Sequence, residues 1–122
     1  LWRVHGIDVA LRNAWERGAV VGGMSAGANC WFEDSVTDSV GGLGDGLGFP
    51  GSFCPHYDGE PEWRPTYTRL VREGMMSGYA ADDGAAFVFV GTELVEVVSQ
   101  REGARGYRVT PDGEEPLEAR LL

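Results

Sequence analysis

The sequence has 122 residues, enough for one small domain, and 43% of them are hydrophobic, including 4 Trp, 4 Tyr and 5 Phe. This composition predicts a folded core rather than disorder, and the net charge of −9 argues against nucleic acid or an anionic membrane surface as a partner. The two cysteines, Cys30 and Cys54, are too few for a disulfide framework or a zinc site. We therefore expect a reducing, cytoplasmic setting.

An amphipathic helix is predicted near the start of the chain. Its apolar residues follow the i, i+3, i+4, i+7, i+8 spacing of a helix and are Ile7, Ala10, Leu11, Ala14 and Trp15. Gly18 is placed to end this helix, and the apolar run 19–21 predicts a buried strand after it. A helix, a strand and a further helix in succession predict an α/β class with a parallel sheet and crossover helices.

The segment GMSAG follows the predicted strand and matches the GxSxG pattern of a nucleophile elbow. In such an elbow the chain leaves a strand, turns sharply and enters a helix, and side chains at Gly23 or Gly27 are expected to collide with the strained backbone. Ser25 is the candidate nucleophile, and the N–H of Ala26 would face an oxyanion that forms beside it. A glycine-rich turn with an incidental serine explains the short motif equally well.

The longer string GMSAGAN resembles the elbow of the peptidase E (aspartyl dipeptidase) and cyanophycinase family of serine peptidases. The resemblance implies a flavodoxin-like α/β fold, related to the class I glutamine amidotransferases, with a β-hairpin region at the C-terminal end. It also implies that residues 1–122 form a single peptidase E-like domain that lacks the N-terminal strands of the family and the loop that supplies a second oxyanion donor. We expect such a chain to associate readily, and a homodimer is one form this could take.

The helix after Ser25 is predicted to end near Phe32, and the glycines and acids of 33–48 predict a long loop. Long loops in small domains are more often functional than not. In the family this stretch carries an aspartate, and the resemblance gives Asp38 a role in orienting the histidine or lining the pocket. A solvated loop acid is the simpler interpretation.

A general base for Ser25 must be one of the two histidines, His5 or His56. His5 precedes the first helix without a supporting context. His56 follows the apolar stretch 49–54 and Pro55, in a PHY segment that resembles the NPHY or NPHF segment carrying the family's catalytic histidine. A surface histidine in a loop is the alternative.

The run PEWRPTYTRLVREG, residues 61–74, predicts a helix with Pro65 in its first turn and Gly74 at its end. In the family this region supplies an arginine that binds the aspartyl carboxylate of the substrate. Thr66 stands at the matching position here, which leaves Arg64 and Arg69 as substrate-binding candidates and predicts a weaker preference for N-terminal aspartate. For each of these arginines, a solvated helix residue is the simpler interpretation.

The stretch GYAADDGAAFVFVG, residues 78–91, resembles the cyanophycinase-type segment that carries the acidic member of the triad. Asp83 matches that acid and Asp82 is its neighbour, although the family residue is usually Glu. A turn between two strands fits the same residues. The short β-prone runs that follow, as far as Leu121, predict hairpins.

The resemblance implies a serine peptidase acting on small peptides, in which Ser25 attacks, His56 moves the proton and Asp83 orients His56, without a metal or organic cofactor. A cyanophycinase-like enzyme or another acyl hydrolase is an alternative, although the order Ser, His, acid differs from the order Ser, acid, His of the α/β-hydrolases. A catalytically degenerate homologue that only binds is the third hypothesis.

Overall fold

The computed structural model describes residues 1–37, 41–44 and 46–122. The helices of this part are α1 (Ile7–Glu16), α2 (Ala26–Asn29) and α3 (Trp63–Arg72). The strands are β1 (Phe32–Thr37), β2 (Gly41–Gly44), β3 (Phe49–Cys54), β4 (Gly78–Ala81), β5 (Ala85–Val90), β6 (Glu93–Ser99), β7 (Gly106–Thr110), β8 (Gly113–Leu117) and β9 (Arg120–Leu121).

The main sheet has the strand order β2-β1-β3-β4-β7-β8. Its centre is parallel, because β3 pairs in parallel with both β1 and β4, whereas β2, β7 and β8 are added antiparallel. A second sheet has the order β5-β6-β9. The α/β class is confirmed, as are the C-terminal hairpins β5–β6 and β7–β8, but the sheet is mixed and the flavodoxin-like arrangement stays a prediction.

The core has two parts, formed by different groups of side chains. One part packs under α3, which contributes the fully buried Tyr67 and Val71. The other lies between the two sheets and is aromatic, with the rings of Phe53 and Phe87 5.9 Å apart and those of Phe49 and Phe89 4.8 Å apart, both edge to face. Such ring pairs fix how the second sheet packs on the first.

Three predictions about the first half of the chain were wrong. Residues 19–24 form no strand and Val20 is fully exposed, because no strand of the described residues lies alongside to pair with their backbone. The helix after Ser25 ends at Asn29 instead of near Phe32. The predicted loop 33–48 contains most of β1 and all of β2, since Phe32 and Val36 are buried in the sheet and β2 is glycine-rich.

The helices α1 and α3 confirm their predictions. Pro65 lies in the first turn of α3. Gly74 follows the helix with φ +123°, a conformation that favours glycine. The side chains of α1 differ from expectation in one respect, because none of them is buried and Val9 is 58% exposed.

An ion pair joins α3 to β8. Arg64 Nε lies 2.9 and 3.0 Å from the two carboxylate oxygens of Glu114, and the Tyr57 hydroxyl donates to Glu114 Oε2 at 2.6 Å. The guanidinium also lies over the rings of Tyr57 and Tyr107, at 5.3 and 4.8 Å from their centres. Burial opposes ionisation of Glu114, but the hydrogen bonds from Arg64 and Tyr57 hold the pKa of its carboxyl below the usual value.

We predict that Glu114→Gln lowers the free energy of unfolding by about 1–2 kcal/mol at pH 7, because it removes charged hydrogen bonds that are partly open to solvent. The pKa of the Glu114 carboxyl is lower in the folded chain than in the unfolded chain, so its ionised form stabilises the fold. This stabilisation is complete at a pH above the pKa in the unfolded chain, which is about 4.3, and it is lost as the pH falls through the pKa in the folded chain. The difference between wild type and variant should therefore shrink in strongly acidic solution.

Urea unfolding at neutral and acidic pH measures this difference. Glu118→Gln is the matched control, because Glu118 is an exposed acid just beyond the same strand. A loss of stability that is the same for both variants, or the same at both pH values, would contradict the role given to the Glu114 carboxylate.

Candidate active site

The backbone at Ser25 has the sharp turn of a nucleophile elbow. Ser25 has φ 55° and ψ −124°, which is rare for a residue with a side chain, and α2 begins immediately after it. A Cβ atom at Gly23 would lie 1.9 Å from the carbonyl oxygen of Gly27, so only glycine fits at position 23. A Cβ at Gly27 would meet nothing within 4 Å, so the predicted collision at Gly27 was wrong.

His56 lies in the loop after β3 and contacts Ser25. Its Nε2 is 2.9 Å from the Ser25 Oγ, and its Nδ1 is 2.6 Å from Oδ1 of Asp83. A carboxylate can only accept, so Nδ1 carries the proton and Nε2 is left to accept from the serine hydroxyl. His56 has φ 54°, and in the described part of the chain it and Ser25 are the two residues other than glycine with positive φ.

The two neighbouring acids Asp82 and Asp83 face different surroundings. Asp83 lies in the turn after β4 and reaches His56, whereas the Asp82 carboxylate is buried and accepts from the Arg105 N–H at 3.0 Å and the Tyr107 hydroxyl at 3.4 Å. Burial raises the pKa of the Asp82 carboxyl. The structure thus brings Asp83, and not Asp82, together with Ser25 and His56.

A serine, a histidine and an acid joined in this way are the arrangement that hydrolases use for acyl transfer. Comparison with known proteins gives the family, because the profile of peptidase family S51 matches residues 1–97. The chain belongs to peptidase family S51. It is also 56% identical over 113 residues to the "uncharacterized peptidase YgaJ" of Bacillus subtilis (strain 168).

That alignment covers 89% of this chain and 49% of the Bacillus protein, so the chain spans about half the length of this S51 relative. No solved structure matched the chain with significant similarity.

The S51 chain has a small open pocket beside Ser25. It has a volume of about 290 Å³ and is lined by Ser25, His56, Gly59, Glu60, Trp63 and Asp83. Sequence reasoning missed Glu60 and Trp63. Their closeness in sequence to His56 was the available signal, since Glu60 follows it by four residues and Trp63 is the first residue of α3.

The predicted arginines do not line this pocket. Arg64 is bound to Glu114, and Arg69 Nη1 lies 2.8 Å from Oε2 of Glu73 on the exposed face of α3. The contacts of Arg64 stabilise the junction of α3 and β8, so the structure does not bear out a substrate contact for it. Asp38 lies outside the described residues, and its role stays a prediction. The N–H of Ala26 is that of the first residue of α2, which has no acceptor within its own helix.

The buried thiol of Cys54 is not a second candidate nucleophile. Burial raises the pKa of the Cys54 thiol to about 12, so this residue stays protonated and is a poor nucleophile although it lies close to His56 in sequence.

Within residues 1–37, 41–44 and 46–122, no cluster of His, Cys, Asp and Glu side chains is arranged to hold a metal ion. None of the helices described is long and apolar enough to cross a membrane.

We predict that Gly23→Ala displaces Ser25 from His56 and lowers the rate of labelling by a fluorophosphonate by about 100-fold, because the new methyl group overlaps the Gly27 carbonyl. Gly27→Ala is the matched control. It adds the same methyl group on α2 where nothing lies within 4 Å, and alanine favours a helix by about 1 kcal/mol over glycine.

Labelling kinetics are measured for both variants beside thermal unfolding. Equal labelling rates for Gly23→Ala and wild type would contradict the assignment of an elbow.

Proposed function

We propose that this chain carries the catalytic residues of a serine peptidase that hydrolyses small peptides. The observation that carries the proposal is the continuous hydrogen-bonded path from Asp83 through His56 to Ser25, with contacts of 2.6 and 2.9 Å. Membership of peptidase family S51 supports the reaction type. The strained backbone at Ser25 and His56 supports the same site, because such strain is concentrated at functional residues.

In the proposed mechanism Ser25 Oγ attacks the peptide carbonyl carbon while His56 Nε2 accepts the hydroxyl proton. The carboxylate of Asp83 holds the imidazole in the required tautomer and stabilises the imidazolium. The N–H of Ala26 donates to the oxyanion of the tetrahedral intermediate. His56 then gives the proton to the leaving amine, and a water molecule, activated by His56, hydrolyses the acyl-enzyme.

The size and charge of the pocket favour a short substrate with a free amino terminus. A volume of about 290 Å³ is at the lower end for ligand pockets. Glu60 lines this pocket and is exposed, so its carboxylate could attract the α-ammonium group of a peptide. We infer a dipeptidase E-like activity with weak selectivity for N-terminal aspartate, since the pocket lining includes no arginine in the described residues.

We also propose that the chain has a flavodoxin-like fold. Parallel pairing of β1, β3 and β4, with Ser25, His56 and Asp83 in the segments between elements, supports a flavodoxin-like domain that includes residues 1–122.

A dipeptide library tests the function, with N-acetylated dipeptides and a simple ester as additional substrates. We predict that Ser25→Ala lowers kcat on any cleaved dipeptide by on the order of a million-fold without changing thermal unfolding, because it removes only the nucleophile. Turnover that persists in Ser25→Ala would contradict the proposal.

The other hypotheses give different results in the same assay. Cleavage of the ester and of no peptide would identify an acyl hydrolase of another kind. Absence of both cleavage and fluorophosphonate labelling would identify a homologue that only binds.

The two acids provide a matched pair. We predict that Asp83→Asn lowers kcat by roughly 10⁴-fold, because an amide favours the wrong tautomer of His56. Asp82→Asn makes the same chemical change one residue away, in a carboxylate that contacts Arg105 and Tyr107, and should retain most activity. Steady-state kinetics of both variants decide the assignment, and a greater loss in Asp82→Asn would reverse it.

A further inference from the structure

The main chain of Asp83 is held on both sides by side chains from two other segments. Its N–H donates to Asp58 Oδ1 at 2.7 Å. Its carbonyl oxygen accepts from Arg101 Nε at 3.1 Å and from Arg101 Nη2 at 3.0 Å. Arg101 Nη2 also binds Oδ2 of Asp58, which closes the set of contacts around Asp83. We call Asp58 and Arg101 the Asp83 clamp.

The carboxylate of Asp83 needs such support because its own surroundings are open. Its side chain is 54% exposed and it lies in a turn next to Gly84, which has φ +87°. The space for the carboxylate is nonetheless narrow, since a Cβ atom at Gly59 would lie 2.7 Å from Asp83 Oδ2. Because, among the described residues, this carboxylate is held only by the turn that carries it and by His56, a small movement of the turn would change the distance from Asp83 Oδ1 to His56 Nδ1.

The two clamp residues connect this turn to the loop after β3 and to the end of β6. Asp58 lies two residues after His56, so the loop that supplies the histidine also binds the main chain of the acid. Arg101 follows β6, where its N–H donates to Ser99 Oγ at 3.0 Å and the neighbouring Gln100 N–H donates to the Gly84 carbonyl at 3.0 Å. Burial opposes ionisation of Asp58, but the Asp83 N–H and Arg101 lower the pKa of its carboxyl.

We propose that Asp58 and Arg101 are positioning residues that hold Asp83 against His56 for the hydrolytic reaction. The inference rests on the function proposed above. Neither residue lines the pocket, and their side chains are 34% and 51% exposed, so we expect this ion pair to add less to stability than the more buried pair of Arg64 with Glu114. We expect the pair of Asp58 and Arg101 to affect mainly the rate of hydrolysis.

The first test is a kinetic double-mutant cycle in the full chain. Arg101→Gln and Asp58→Asn should each lower kcat by about 10- to 100-fold with KM nearly unchanged, and Arg101→Lys should restore part of the loss. When Asp83→Asn is already present, the same substitutions should cost nothing more, because the clamp acts through the Asp83 carboxylate.

Arg120→Gln is the matched control. It breaks the pair of Arg120 with Glu96, a similarly exposed ion pair in the second sheet, and should leave the rate unchanged in both backgrounds. An equal loss from Arg101→Gln with and without Asp83→Asn would show a general structural role and overturn the proposal.

The second test does not depend on hydrolysis. The proton between His56 Nδ1 and Asp83 should give a far-downfield proton NMR signal, which can be assigned because the chain has two histidines. Arg101→Gln should weaken or remove this signal without changing thermal unfolding, whereas Arg120→Gln should retain it.

These readouts separate the two proposals. A signal that depends on Arg101 in a protein without Ser25-dependent hydrolysis would refute the proposed function and keep the positioning role. A signal that is absent from wild type, or that Arg101→Gln leaves unchanged, would overturn the positioning role.

Discussion

The parallel pairing of β3 with β4 is the constraint on which the site depends. Cys54 pairs with Ala80, and the chain leaves both strands at the same edge of the sheet. His56 and Asp83 each lie two residues beyond the end of their strand, and this common offset brings their side chains together. The strands can approach so closely because a Cβ at Gly78 would lie 1.9 Å from the Ser52 carbonyl oxygen, which only glycine avoids.

The strained backbone of His56 is maintained by its neighbours. Tyr57 is 1% exposed and its N–H donates to the Ala81 carbonyl at 2.9 Å, which continues the link between the two strands past the histidine. Its hydroxyl binds Glu114, which Arg64 holds from α3. A positive φ costs about 1–3 kcal/mol and persists only where surrounding contacts fix the conformation. The buried contacts of Tyr57 fix the chain directly after His56, and so they help to hold the imidazole in its direction.

Local patterns predicted part of this structure, and contacts distant in sequence account for the rest. The helical spacing of α1 and α3, the hairpins and the elbow each depend on a few adjacent residues, and the family resemblance singled out the three residues that the structure brings together. The strand β2 was missed because its glycines carry no periodic pattern. The pairing of Arg64 with Glu114 joins residues 50 positions apart, and no local pattern indicates it. The run 19–21 has the composition of a strand, but a strand also needs a neighbour to pair with.

The Asp82-Asp83 pair shows how the register of a strand decides which of two neighbouring acids contacts His56. Both acids follow the end of β4, and the carboxylate of Asp82 is buried whereas that of Asp83 is exposed and binds His56. Asp82 links β4 to the segment before β7 by accepting from the Arg105 N–H, and burial raises its pKa. Asp83 stays half exposed, close to the imidazole that the proposed mechanism requires it to orient. A shift of β4 by one residue would move Asp82 into the surroundings of Asp83, so the register of β4 against β3 and β7 selects which acid meets His56.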